Sequence, residues 1–138
     1  MARERTLIIL KPDAVQRKLC GEIIKRIENK GLDIVALKRT TIAKATAEKH
    51  YAEHAARPFF GELVSFMTGG PVVIMAVEGD EAIVVMRTLI GKTKFFEALP
   101  GTIRGDFAFS VAENLVHGSD SAESAKREVE LFFGGELK

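Results

Sequence analysis

Cysteine is nearly absent from this sequence. Cys20 is the one thiol in 138 residues, so no internal disulfide is available and a reducing compartment is expected. Neither sign of charge is in excess: 20 Lys and Arg against 19 Asp and Glu leave a net charge of +1, without the electrostatic footprint of nucleic-acid binding. No apolar run approaches the roughly 20 residues of a membrane-spanning helix. The stretch Met1-Ala2-Arg3-Glu4-Arg5 leads into an apolar run too short, and too closely followed by charge, to be a signal peptide. A cytoplasmic location with no membrane partner is therefore expected. The single tyrosine, Tyr51, falls in a helical segment, so the strand-borne aromatics of an RNA reader are also missing.

What is present is an ordinary globular composition, 46% apolar and 28% charged, at a length suited to one domain over residues 1–138. Thr6 to Leu10 reads as a strand buried on both faces, stopped at Lys11 because Pro12 lacks an N–H and keeps its neighbour extended. Gly21 to Lys30 reads as a helix ended by Gly31, and Leu32 to Thr41 as a strand with Leu32, Ile34 and Ala36 alternating inward. Thr46 is expected to cap a helix over Ala47 to Ala56. A second helical pattern follows Pro58. After the turn at Gly69-Gly70-Pro71, Val72 to Val77 is a third strand, and Gly79-Asp80 is expected to open a helix through Ile90. From Gly91 to about Phe109 the periodicity fails. So long a loop in a small domain hints at function. Leu115 to His117 is a short fourth strand, and Asp120 with Glu123 has capping-box spacing for the last helix.

The order fits an α+β ferredoxin-like βαββαβ fold, a four-stranded antiparallel sheet covered by helices on one face, with a long irregular loop before the last strand. A parallel doubly wound sheet is the alternative, since the first and third strands look buried on both sides.

Two motifs are declined. Gly91-Lys92-Thr93 resembles the end of a phosphate-binding P-loop, but Met86 stands where its first glycine belongs, and the segment follows a helix rather than a strand. His50-Tyr51-Ala52-Glu53-His54 has the spacing of some zinc peptidases, but no third ligand is evident, and two such histidines arise easily on a solvated helix face.

A different constellation comes from separate segments. Lys11, Tyr51, Arg87, Thr93 and Arg104 are the group types that bind polyphosphate, through guanidinium forks, an ammonium and neutral hydroxyls. His117 sits at a strand-to-helix corner. Nucleophilic use would require a neutral imidazole with one nitrogen free and the other oriented, and Glu128 on the following helix could supply the orienting carboxylate. The small residues after His117 would leave room for a phosphoryl group.

The stretch Asn114-Leu115-Val116-His117-Gly118-Ser119-Asp120-Ser121 resembles the signature of the nucleoside diphosphate kinase family. So do Lys11-Pro12-Asp13, Arg57-Pro58-Phe59-Phe60, Gly70-Pro71-Val72-Val73 and Pro100-Gly101-Thr102-Ile103-Arg104-Gly105-Asp106-Phe107. The resemblance implies a two-step transfer through a phosphohistidine at His117, with Glu128 and Ser119 orienting the ring. It implies that Lys11, Tyr51, Arg87, Thr93, Arg104 and Asn114 hold phosphates and sugar, while Phe59 and Val111 sandwich a base of either kind. It also implies Mg2+ carried by the nucleotide without dedicated protein ligands, and a homo-oligomer, with a hexamer favoured over a tetramer. The long loop departs from the pattern: Lys92 replaces a usual alanine, and Lys94-Phe95-Phe96 replaces Asn-Pro-Ala in a segment that makes subunit contacts in the family. Phe95 and Phe96 are expected to pack between subunits. The competing readings are a nucleotide-sensing or nucleic-acid-binding module on the same fold, and an inactive homologue, which would be expected to lack His117 or a phosphate ligand.

Overall fold

β1 (Arg3–Leu10) lies between β3 (Val72–Asp80) and β4 (Val116–Gly118), with β2 (Asp33–Thr40) outside β3, in the order β2-β3-β1-β4. All three pairings are antiparallel, which makes the sheet ferredoxin-like and removes the parallel alternative. The computed structural model describes residues 3–137; Met1, Ala2 and Lys138, the ends of the expected 1–138 domain, lie outside the described residues.

Helices cover both faces of the sheet, not one. Ile8 and Leu10 with Val73, Met75 and Val77 pack against α2 (Cys20–Lys30), α5 (Ala82–Ile90) and α6 (Ile103–Phe107). Leu7 and Ile9 with Val72, Ile74 and Ala76 pack against α3 (Lys44–His50), α4 (Phe60–Thr68) and α7 (Ala122–Phe133). This is why β1 and β3 are apolar on successive residues: alternation sends neighbours into two cores. Each fully buried Leu or Ile contributes about 1.5–3 kcal/mol relative to exposure. In β2 a bulge between Ile34 and Ala36 switches faces, so Ile34 joins one core and Ala36 the other rather than sharing a side as expected.

Several boundaries differ from the sequence reading. Pro12 ends β1 but also opens a five-residue helix, α1 (Pro12–Gln16), where its missing N–H is no loss at the first position. Ala43, not Thr46, precedes α3. Gly79 and Asp80 finish β3. Glu81 adopts φ 56° and α5 starts after it, with the Ile83 N–H donating to Glu4 Oε1 at 3.2 Å. The irregular loop contains a 3-10 turn at Phe95–Glu97 and then α6, whose N-cap Thr102 accepts the Gly105 N–H. α7 is capped by Ser121, which accepts the Ser124 N–H at 3.1 Å, so the Asp120–Glu123 pair is not the cap. No helix among the described residues is long and apolar enough to cross a membrane.

Candidate active site

His117 pairs with Ile9 in the middle of β4. Strand alternation turns Val116 into the α2/α5 core and leaves His117 on the side of α3 and α7. There it borders a cleft of about 640 Å³ whose lining includes ten of the eleven expected site residues; the eleventh, Ser119, lies behind the cleft, fully buried.

The histidine is held by a short chain of hydrogen bonds. His117 Nε2 lies 2.7 Å from Glu128 Oε1, which also accepts from Ser119 Oγ at 2.7 Å, and Ser119 Oγ accepts the Leu7 N–H at 3.2 Å. Burial pushes the Glu128 carboxyl up, but hydrogen bonds and charge from His117, with Ser119 assisting, outweigh it and hold the group below the usual carboxylate range. An ionised carboxylate only accepts, so Nε2 carries the ring proton and Nδ1 keeps its lone pair.

The backbone before His117 is forced. Leu115 adopts φ 77°, and the Val116 N–H reaches back to Asn114 O at 2.9 Å, closing a tight γ-turn of the strained hand. That turn is clamped from outside. The Leu115 N–H donates to Asp13 Oδ2 at 3.0 Å, and the Lys11 N–H donates to Leu115 O at 2.8 Å. Arg104 donates to three carbonyls, those of Val116 at 2.7 Å, Gly91 at 3.2 Å and Asn114 at 3.3 Å.

Positive charge gathers on the same side. Lys11 Nζ donates to Asn114 Oδ1 at 2.7 Å, and Arg87 donates to Gly118 O at 3.2 Å. Burial, then the Arg104 charge, lowers Lys11 to about 8; burial, then Arg87, lowers Arg104 to about 10. Asp13, 5% exposed, is the carboxylate that opposes Lys11, and burial pushes its own pKa up. Three cations held this close, two of them buried, make a preorganised anion site. Burial, then Glu128, pushes the Tyr51 phenol up to about 12, which keeps it a neutral donor. Phe59 and Val111 are 42% and 48% exposed, so both offer apolar surface to a guest in the cleft. Thr93 lies exposed on its rim.

The residues after His117 are small for reasons of packing and capping as well. A Cβ on Gly118 would sit 2.7 Å from Ile90 Cδ1, Ser119 is a hydrogen-bonded part of the interior, and Ser121 is the cap.

His50 was missed as a site residue. It is buried at 6% exposure, not on a solvated helix face, and its ring stands edge-on to His117 with centroids 4.8 Å apart. His54 lies in a separate 3-10 turn, Ala52–His54, so the declined zinc-peptidase spacing never becomes one helical face. The only signal available in advance was the apolar position of His50 beside Ala47. Asp13 and Arg127 were also missed; Arg127 bridges Glu53 at 3.3 Å and Glu128 Oε2 at 3.7 Å.

Comparison with known proteins agrees along nearly the whole described length. The family profile described as nucleoside diphosphate kinase matches residues 4–137. A nucleoside diphosphate kinase of Metallosphaera sedula is 60% identical over 133 residues, 96% of this chain and 95% of its own. One from a Parafrankia species is 57% identical over 135 residues, 98% of each chain. The apo nucleoside diphosphate kinase of Encephalitozoon cuniculi matches with a TM-score of 0.95 at 41% identity, covering 98% of this chain and 92% of that one. The halophilic nucleoside diphosphate kinase of Halobacterium salinarum, in complex with CDP, gives 0.94 at 47% identity, with 98% and 90% covered. The chain belongs to the nucleoside diphosphate kinase family, a class of phosphotransferases.

Proposed function

We propose that this protein moves the terminal phosphoryl group of a nucleoside triphosphate, typically ATP, to a nucleoside diphosphate through His117, in two half-reactions. The Nδ1 lone pair attacks the terminal phosphorus, the N–P bond forms, and the bond to the bridging oxygen breaks with its electrons leaving on the diphosphate. A second diphosphate then attacks the phosphohistidine, and the N–P electrons return to the ring. The observation that carries this reading is the free Nδ1 beside three converging cations, with Nε2 held on Glu128. Glu128 and Ser119 orient the ring and meet the positive charge that develops on it. Lys11, Arg87 and Arg104 neutralise charge spreading over the phosphate oxygens, with Tyr51, Thr93 and Asn114 donating to phosphate and sugar. Phe59 and Val111 grip the base by apolar contact, which any purine or pyrimidine satisfies.

The donor set around the phosphate end fits magnesium that travels with its nucleotide. Lys11, Arg87 and Arg104 bring positive charge to that end of the cleft and Glu128 is engaged by His117 and Ser119, whereas Mg2+ prefers oxygen ligands and keeps several of its waters. When bound, the ion supplies charge neutralisation between the phosphates. A cytoplasmic setting suits these substrates. The exposed Phe96, Leu99 and Phe109, at 67%, 72% and 87%, favour burial between copies, and the family resemblance puts a hexamer before a tetramer.

The test is transfer of label. Protein incubated with ATP labelled on the terminal phosphate, freed of nucleotide and given unlabelled GDP should first carry acid-labile phosphate and then yield labelled GTP. His117→Ala should take no label yet still bind nucleotide. Folded wild-type protein that accepts no transferable label would sink the proposal.

A further inference from the structure

Among the described residues, three buried side-chain atoms lack a hydrogen-bond partner, Thr6 Oγ1, Asp13 Oδ1 and His50 Nδ1, and the last of these borders the cleft. His50 Nδ1 is enclosed and has no hydrogen-bond partner, although its ring is packed edge-on to His117, Tyr51 and Phe132. A buried nitrogen of this kind normally finds a partner. One ring nitrogen each of His50 and His117 and a carboxylate oxygen of Glu128 lie within 4.8 Å of one another. Two imidazoles and a carboxylate are the donor set of several catalytic zinc centres, with the fourth position open, here toward the cleft. Imidazole nitrogen selects borderline cations such as Zn2+ and Co2+ over Mg2+, which needs oxygen.

We propose that His50, His117 and Glu128 form a site for a zinc-class divalent cation, occupied in competition with phosphorylation of His117. Tetrahedral ligation at about 2.0–2.1 Å requires donors roughly 3.3 Å apart, so side-chain rotations must draw the group together. Ser119 already supports Glu128 from behind, as an outer partner of a ligand does. Lys11, Arg87, Arg104 and Arg127 also border the cleft and oppose a bare cation, which makes the affinity modest and reversible. Transfer to nucleoside diphosphate would then slow when free zinc rises and recover when it is chelated. The competition rests on the proposed role of His117; the metal site itself does not.

Cobalt titration of the full chain tests both parts. Co2+ should produce the intense visible bands of four-coordinate ligation, abolished by excess Zn2+ and insensitive to excess Mg2+. His50→Gln should weaken Co2+ binding at least about tenfold, the scale on which even outer-shell partners matter, whereas His54→Gln should leave it unchanged. If His50→Gln fails to give the far-ultraviolet circular dichroism of the folded chain, His117→Asn on the less buried partner replaces it, with the same loss expected. Phosphorylated protein should bind less Co2+ than unphosphorylated protein. Only the weak bands of six-coordinate Co2+, or equal binding by the His50 and His54 variants, would overturn the site. A chain that never takes phosphate but shows the His50-dependent bands would overturn the kinase reading and keep the metal site.

Discussion

Asp13 Oδ2 accepts the backbone N–H of Leu115 at 3.0 Å, joining residues 102 positions apart. Leu115 is the strained centre of the turn that aims His117, so this bond holds the proposed nucleophile in place without touching it. Asp13→Ala should lower stability by about 1–3 kcal/mol, the scale of a buried donor left unpaired. It should also slow phosphorylation of His117 more than it weakens nucleotide binding. Asp13→Asn keeps an acceptor and should recover much of both losses. Urea denaturation with single-turnover phosphorylation checks this; equal effects of the two variants would count against it.

Lys11 is held in place against its own solvation. Its folded pKa of about 8 lies below the ordinary 10.5, so the unfolded chain holds the proton more tightly. Stability should therefore rise with pH between about 8 and 10.5, the penalty of the buried ammonium being full below about 8. Nucleotide affinity should run the other way, falling as the free enzyme loses this charge above about pH 8. Lys11→Met should stabilise the unliganded fold at neutral pH, by on the order of 1–3 kcal/mol, while binding ATP at least about tenfold more weakly, since a lost charge-assisted hydrogen bond is worth about 1.5–3 kcal/mol. Denaturation across pH and nucleotide titration would show the two trends separating.

Glu128→Gln keeps the shape of the partner but lets the amide present either an oxygen or an N–H to His117. Phosphoryl transfer should slow by about 10- to 1,000-fold without vanishing, because orientation and charge complementarity are lost while the attacking nitrogen survives. Rapid-quench measurement of each half-reaction would show this. An unchanged rate would return Glu128 to a packing role.

Phe96→Ser with Leu99→Ser removes two of the exposed apolar groups on the loop ahead of α6. Sedimentation should show the wild type as a hexamer and the double variant as smaller species, with little change in the melting of the isolated subunit. A wild-type monomer would end the proposal for this surface.

The strands of this fold were legible because β1 and β3 are continuous apolar runs closed by Pro12 and opened by Gly70-Pro71. The same property hid the second layer. A strand buried on both sides does not say whether its neighbours run parallel, or which helices take which face. The short α1 was invisible because five residues show no helical period. In the site, Lys11, Arg87 and Arg104 could be grouped in advance as residue types that suit polyphosphate, and they do line one cleft. The hold of Arg104 on the Leu115 turn was not readable, because it is made with main-chain carbonyls, which every residue possesses. His50 escaped for the opposite reason: its meaning comes from a partner 67 positions away and on another element.

β4 has three residues, and its one sheet partner is β1 at the other end of the chain. Such a strand has almost no local support, so loop closure must come before any pairing energy is returned. On a ribosome, Lys11 and Asp13 emerge first, and the partners that give them a purpose appear about a hundred residues later. His117, the proposed nucleophile, therefore reaches its place only when β4 has met β1, a strand more than a hundred residues earlier.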